Sequence, residues 1–136
     1  MNKEEKIIEL KKMKYSIEEN ILFEERIINM YKERIKQIQE AIPKETKMLE
    51  SLKGKLNSAK EAIPDFDIET YNLYKEYAVL EDKVQQEKVF IDKLNAENIE
   101  KKDEVAKAEQ ILTEKKAELQ MIEAELEVEI KNLIQN

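Results

Sequence analysis

Apolar residues recur along this chain at alternating intervals of three and four, and one seven-residue frame accounts for nearly all of them. With the heptad lettered a to g, the a positions of the first half are Ile7, Lys14, Ile21, Ile28, Ile35, Ile42, Leu49, Leu56 and Ile63. Its d positions are Leu10, Ile17, Glu24, Tyr31, Ile38, Glu45, Leu52 and Ala59. The frame resumes in phase, with Tyr77, Val84, Ile91, Asn98, Val105, Leu112, Leu119, Leu126 and Leu133 at a. The matching d positions are Leu73, Leu80, Glu87, Leu94, Lys101, Ala108, Lys115, Ile122 and Glu129. A 3.5-residue repeat sustained this long predicts coiled-coil helix rather than isolated amphipathic segments.

Two prolines punctuate the pattern, each after the same tripeptide: Glu40-Ala41-Ile42-Pro43 and Glu61-Ala62-Ile63-Pro64. Proline removes a helical hydrogen bond and clashes with the preceding turn. After Pro43 the run Lys44-Glu45-Thr46-Lys47-Met48-Leu49 forms helix well and stays in phase, so a kink or a brief break is expected there. After Pro64, Asp65 or Asp67 can cap a new helix, and further acids favour its positive end. A true turn is expected at 64–67, joining arm one (2–63) to arm two (68–135) in a single domain spanning 1–136. The fold class is therefore all-α: a long antiparallel coiled-coil hairpin, turned near Pro64 and kinked near Pro43, able to self-associate into a larger bundle. At 1.5 Å per residue each arm would run roughly 90–100 Å. The lone Gly54 falls at the outward f position.

Charge decides between this hairpin and a parallel pair of straight chains. Residues 1–63 carry 14 Lys/Arg against 12 Asp/Glu, whereas residues 64–136 carry 10 against 19. Folding back near residue 65 sets Lys3 and Lys6 opposite Glu123, Glu125, Glu127 and Glu129, and Lys11, Lys12 and Lys14 near Glu118. A parallel dimer would instead pair g with the next e, giving Lys6–Lys11, Lys83–Lys88, Glu104–Glu109 and Glu118–Glu123, all repulsive, against one favourable pair, Glu97–Lys102. Each such pair is worth only a few tenths of a kcal/mol, but the signs agree.

Composition narrows the chemistry. Forty per cent of the 136 residues are charged, with one Gly, two Pro and no Cys, His or Trp. Folds built from many short elements need more turn residues than this. Without His or Cys the usual zinc, haem and thiol sites and the Ser/His and Cys/His nucleophile pairs have no ligands or bases. The 31 carboxylates include Glu123, Glu125, Glu127 and Glu129, but their i, i+2 spacing scatters them around a helix. No Gly-rich phosphate loop is present, so the expectation is a protein without enzymatic activity, cofactor or metal. A net charge of −7 disfavours direct nucleic-acid binding and anionic membranes. The start lacks a signal-peptide core, and no apolar run approaches the roughly 18 residues of a membrane span. A cytoplasmic location is expected. Lys outnumbers Arg 22 to 2, a bias that suits the AT-rich genome of a low-GC bacterium or its phage.

Two features point to partner binding. Four of the eight aromatic residues, Phe66, Tyr71, Tyr74 and Tyr77, gather at the expected turn and the start of the second arm. They can plug the hairpin end or form a docking tip, since clustered Tyr and Phe anchor interfaces. Second, the stripe Ile21, Leu22, Phe23, Ile27, Ile28, Met30 and Tyr31 is wider than a two-helix seam needs and faces the polar run Glu100-Lys101-Lys102-Asp103-Glu104. A second copy or another protein would cover the remainder. Similar surplus lies at the open end in Ile8, Met13, Met121, Val128, Ile130 and Ile134, and Asn98 with Lys101 resembles a buried polar register device. The expected function is that of an adaptor, assembly factor or chaperone working through tip and stripe, with a protein partner and homo-oligomerisation. The alternatives are an acidic inhibitor that blocks a nucleic-acid-handling enzyme, as an anti-defence protein or nucleic-acid mimic, and a structural rod or spacer.

Overall fold

The structure, a computed structural model, describes residues 2–62 and 71–135. It consists of two helices packed against one another, α1 (Lys3–Ala62) and α2 (Tyr71–Gln135), with no strand among the described residues. At 60 and 65 residues both far exceed the average helix of about 11–12. That length follows from the near absence of breakers and the unbroken heptad. The turn expected at 64–67, the caps Asp65 and Asp67, and Phe66 lie outside the described residues.

Helix α1 starts on a reciprocal cap that the heptad frame does not reveal. The Glu5 N–H donates to Asn2 Oδ1 at 2.8 Å, while the Asn2 N–H reaches Glu5 Oε2 at 3.4 Å. The signal is the Asn-x-x-Glu spacing, which satisfies two otherwise orphaned donors. At Pro43 the helix continues unbroken, so the brief break is not formed. Pro43 still offers no N–H to the turn before it, and Thr46 Oγ1 donates to the Ile42 carbonyl at 2.7 Å. Both features tend to bend a helix, and they fall in one turn.

The chain divides into two compact units, each made from a stretch of both helices. Unit one comprises Met1–Glu33 and Lys102–Asn136; unit two is Arg34–Lys101. All twelve buried hydrophobic residues of the described chain stand at a or d of the frame read from the sequence. In unit one, Leu10, Ile17, Ile21, Ile122 and Leu126 form a continuous cluster with Leu112, Leu119 and Ile130 packed against it. Each buried Ile or Leu contributes roughly 1.5–3 kcal/mol by leaving water. Unit two buries Ile38 completely, at 0% exposure, together with Val84 and Leu94.

Ion pairs show the antiparallel order directly. Going up α1 in unit one, Lys6, Lys14, Glu25 and Lys32 meet Glu129, Glu123, Lys116 and Glu109, descending α2. In unit two Arg34 grips Glu97 with two bonds, Nε to Oε2 at 2.8 Å and Nη2 to Oε1 at 2.7 Å. Lys6 finds Glu125 and Glu129 as the fold-back requires, while Lys14 reaches Glu123 rather than the stretch around Glu118.

Candidate functional site

The antiparallel arrangement gives each helix pair two edges of different chemistry. One edge carries the e positions of both helices, and the other carries the g positions. In unit one the e edge is crossed by charge pairs: Glu25–Lys116 at 3.9 Å and Lys32–Glu109 at 3.2 Å. Lys14, seated at a, lies 3.8 Å from Glu18 and 3.9 Å from Glu123, and so neutralises two e-position carboxylates at once. On the g edge Lys6 bonds to Glu129 at 3.0 Å, and that hydrogen bond, followed by the Glu129 charge, holds the Lys6 ammonium above its ordinary pKa. Beyond Lys6, the g edge carries apolar Met13, Ile27 and Ile111 among the acidic Glu104, Glu118 and Glu125.

The wide stripe of α1 divides in two. Ile21 and Ile28 are buried in the seam, and Ile27 and Tyr31 are half-buried beside it. Leu22, Phe23 and Met30 face solvent, the last two at 60% exposure. Phe23, Ile27 and Met30 follow each other at i, i+4 and i+7 and form a continuous apolar row along the g side. A second row, Ile8, Tyr15 and Leu22, repeats every seven residues on the e side and is exposed throughout. Between them the f positions Lys12, Glu19 and Arg26 are all charged. Of the surplus expected at the open end, Ile8, Met13, Met121, Val128 and Ile134 are exposed. Ile130 is not surplus: it packs against the unit-one cluster.

Three of the four clustered aromatic residues, Tyr71, Tyr74 and Tyr77, stand in the first two turns of α2. Tyr71 is 49% exposed and carries the Lys75 ammonium 4.7 Å above its ring centre, a cation–π contact. Tyr74 and Tyr77 are half-buried, Tyr77 at a seam position, which fits their filling of the helix pair. Phe66 lies outside the described residues.

Unit two holds polar groups that the heptad frame places at seam positions. Glu45 and Glu87, both at d, meet across the seam in a hydrogen bond. That bond, then burial, then repulsion from the Glu45 charge push the Glu87 carboxyl above the ordinary glutamate range. Glu87 Oε1, like Asn98 Oδ1, is buried with no hydrogen-bond partner. In the same unit the Arg34 guanidinium, chiefly through its hydrogen bond, holds Glu97 below the ordinary carboxylate range. A surface hollow of about 380 Å³ opens beside Glu87, lined also by Met48, Leu52, Lys83, Gln86 and Phe90.

No group of His, Cys, Asp and Glu among the described residues is arranged to hold a metal ion, and no described helix is long and apolar enough to cross a membrane. No protein-family model, curated protein or solved structure matches the chain. Its reading therefore rests on the residues themselves: a firmly packed helix pair with charged lanes, from which two apolar rows project into solvent.

Proposed function

We propose that this chain is a non-enzymatic coiled-coil interaction protein, acting in the cytoplasm as an adaptor, assembly factor or chaperone through the apolar rows of unit one. The aromatic residues at the start of α2 serve as a secondary contact. The observation that carries this reading is the exposure of Phe23 and Met30, each 60%, on a helix whose seam face is already filled by Ile17, Ile21 and Ile28. Solvent-facing hydrophobic residues are ordinary when scattered, but here they form rows with helical spacing. Such rows are how a helix presents itself to another helix. The exposed side chains are dispensable for the seam, so their apolar character is free to serve a partner.

The test is recovery of bound protein from the native host, comparing the natural chain with Phe23→Ser/Met30→Ser and Tyr71→Ser/Tyr74→Ser. The row variant should retain its helicity and lose its partner; undiminished recovery would sink the proposal. A salt series separates it from an acidic nucleic-acid mimic. Binding through apolar rows should persist as salt rises, whereas a mimic occupying a basic channel should be released steeply.

A further inference from the structure

The g side of each unit, taken separately, combines exposed apolar residues with an excess of one charge, and the two excesses are opposite. On unit one the row Phe23, Ile27 and Met30 of α1 shares its side with Met121 and Val128 of α2. Exposed Glu9, Glu114 and Glu118 occupy g and c positions of the same side. The cations there are already engaged: Lys6 with Glu129 and Lys107 with Asp103 at 2.9 Å. On unit two the same positions show Met48, Val79 and Phe90, each about half exposed. There the charges are Lys44, Lys55, Lys83 and Lys93 against Glu76 and Glu100, all exposed. Arg34 and Glu97 neutralise each other. Shape differs in the same sense. Unit one offers projecting Phe and Met side chains, while unit two offers the hollow between Met48 and Phe90, with Lys83 on its wall.

We propose that the acidic apolar side of unit one docks on the basic apolar side of unit two of a second copy of this chain, seating Phe23 and Met30 at the Met48–Phe90 hollow. This rests on the reading of the exposed row as a docking face and names its occupant. Charge selects the pairing. Unit one against unit one would set Glu9, Glu114 and Glu118 against the same carboxylates, and unit two against unit two would oppose lysines. The mixed pairing brings acids to lysines around an apolar centre, the layout of specific interfaces, with attraction toward the right surface and repulsion from the wrong one.

The absence of cysteine makes the contact directly readable. Two single variants of the full chain, Met30→Cys and Met48→Cys, are prepared separately, mixed and oxidised. Both positions are exposed, so folding should be unaffected, and circular dichroism checks it. The expected product is the mixed disulfide between the two variants, well in excess of either variant bonded to itself. Sedimentation equilibrium should show the natural chain associating, with Phe23→Asp weakening association by about tenfold or more. Lys83→Glu should weaken it too, and addition of Glu114→Lys as its partner variant should recover part of the loss. A monomer at every concentration, or cross-links confined to Met30→Cys with itself, would overturn the proposal. If the chain is monomeric while Phe23→Ser/Met30→Ser still abolishes recovery of a host protein, the docking face stands and the second copy is eliminated. If both results are negative, both fall.

Discussion

Unit one and unit two carry polar residues at the same kind of seam position and accommodate them by opposite means. In unit one, Lys14, Lys115 and Glu129 stretch outward from the seam to charged partners at its edge: Lys14 to Glu18 and Glu123, Lys115 to Glu118, and Glu129 to Lys6. The Lys14 and Lys115 side chains stay about a third exposed, while Glu129 is more deeply set and is met there by Lys6. The cluster around Ile17 is therefore uninterrupted. In unit two, Glu45 and Glu87 face each other through a hydrogen bond that raises the Glu87 carboxyl, and one oxygen of Glu87 and one of Asn98 are sealed off without a partner. A buried polar atom left unpaired costs about 1–3 kcal/mol. The difference lies in the partner across the seam. A seam lysine or glutamate that reaches an opposite charge at the seam edge is compensated by it, whereas the glutamate opposite a glutamate has its carboxyl pushed above the ordinary range.

The most severe way to probe this contrast is to remove core volume. Ile17→Ala and Ile38→Ala should each cost about 2–5 kcal/mol in denaturant melts. Backbone hydrogen exchange should then separate the units, with slower exchange around Ile17 and Ile122 than around Glu45 and Glu87. Equal protection in both places would mean that the polar pair does not weaken its unit.

A milder probe uses pH. Because the Glu87 carboxyl is held above its unfolded value, the folded state keeps a proton that the unfolded state gives up first. Its stabilising contribution is full below the ordinary glutamate range and is lost as pH rises through the elevated folded value. Glu87→Gln should flatten this part of the stability profile, measured by thermal melts from acid to neutral pH. An unchanged slope in Glu87→Gln would rule out a contribution of the raised Glu87 carboxyl to the pH dependence of stability.

The smallest effect tests whether the helix itself matters where packing does not. Gly54, in unit two, is exposed, and a methyl group there would meet nothing within 4 Å. Gly54→Ala should stabilise the chain by about 0.5–1 kcal/mol through helix propensity alone.

Much of this architecture is legible in the sequence, because a coiled coil writes its burial into one period. The frame starting at Ile7 anticipates every buried hydrophobic residue among those described, and the opposite charges of Lys6 and Glu129 anticipate the direction of α2. Periodicity alone does not show which side of α1 the surplus takes. Leu22, Phe23 and Met30 belong to one apolar run with Ile21 and Ile28, and only the 100° step of the helix sorts them into surface and seam. Lys14 escaped the simple pairing rule because a lysine at a can lean along the seam toward Glu123. The Glu45–Glu87 pair was within reach of the register but invisible to a reading of each arm by itself. At Pro43 the local signal for a break was outweighed by good helix formers and an unbroken seam on both sides.

The antiparallel order has a consequence for synthesis. Arg34 and Glu97 are 63 residues apart, whereas Leu10 must find Ile122 and Leu126, almost the whole chain away. Loop closure favours the nearer partners first, so unit two can close while the end of α2 is still being made. Leu10, Ile17 and Ile21 then wait on the order of ten seconds at ordinary elongation rates before their partners exist. Through that interval the nascent chain displays a bare heptad seam, and residues that end in the unit-one cluster are the aggregation-exposed segment on the ribosome.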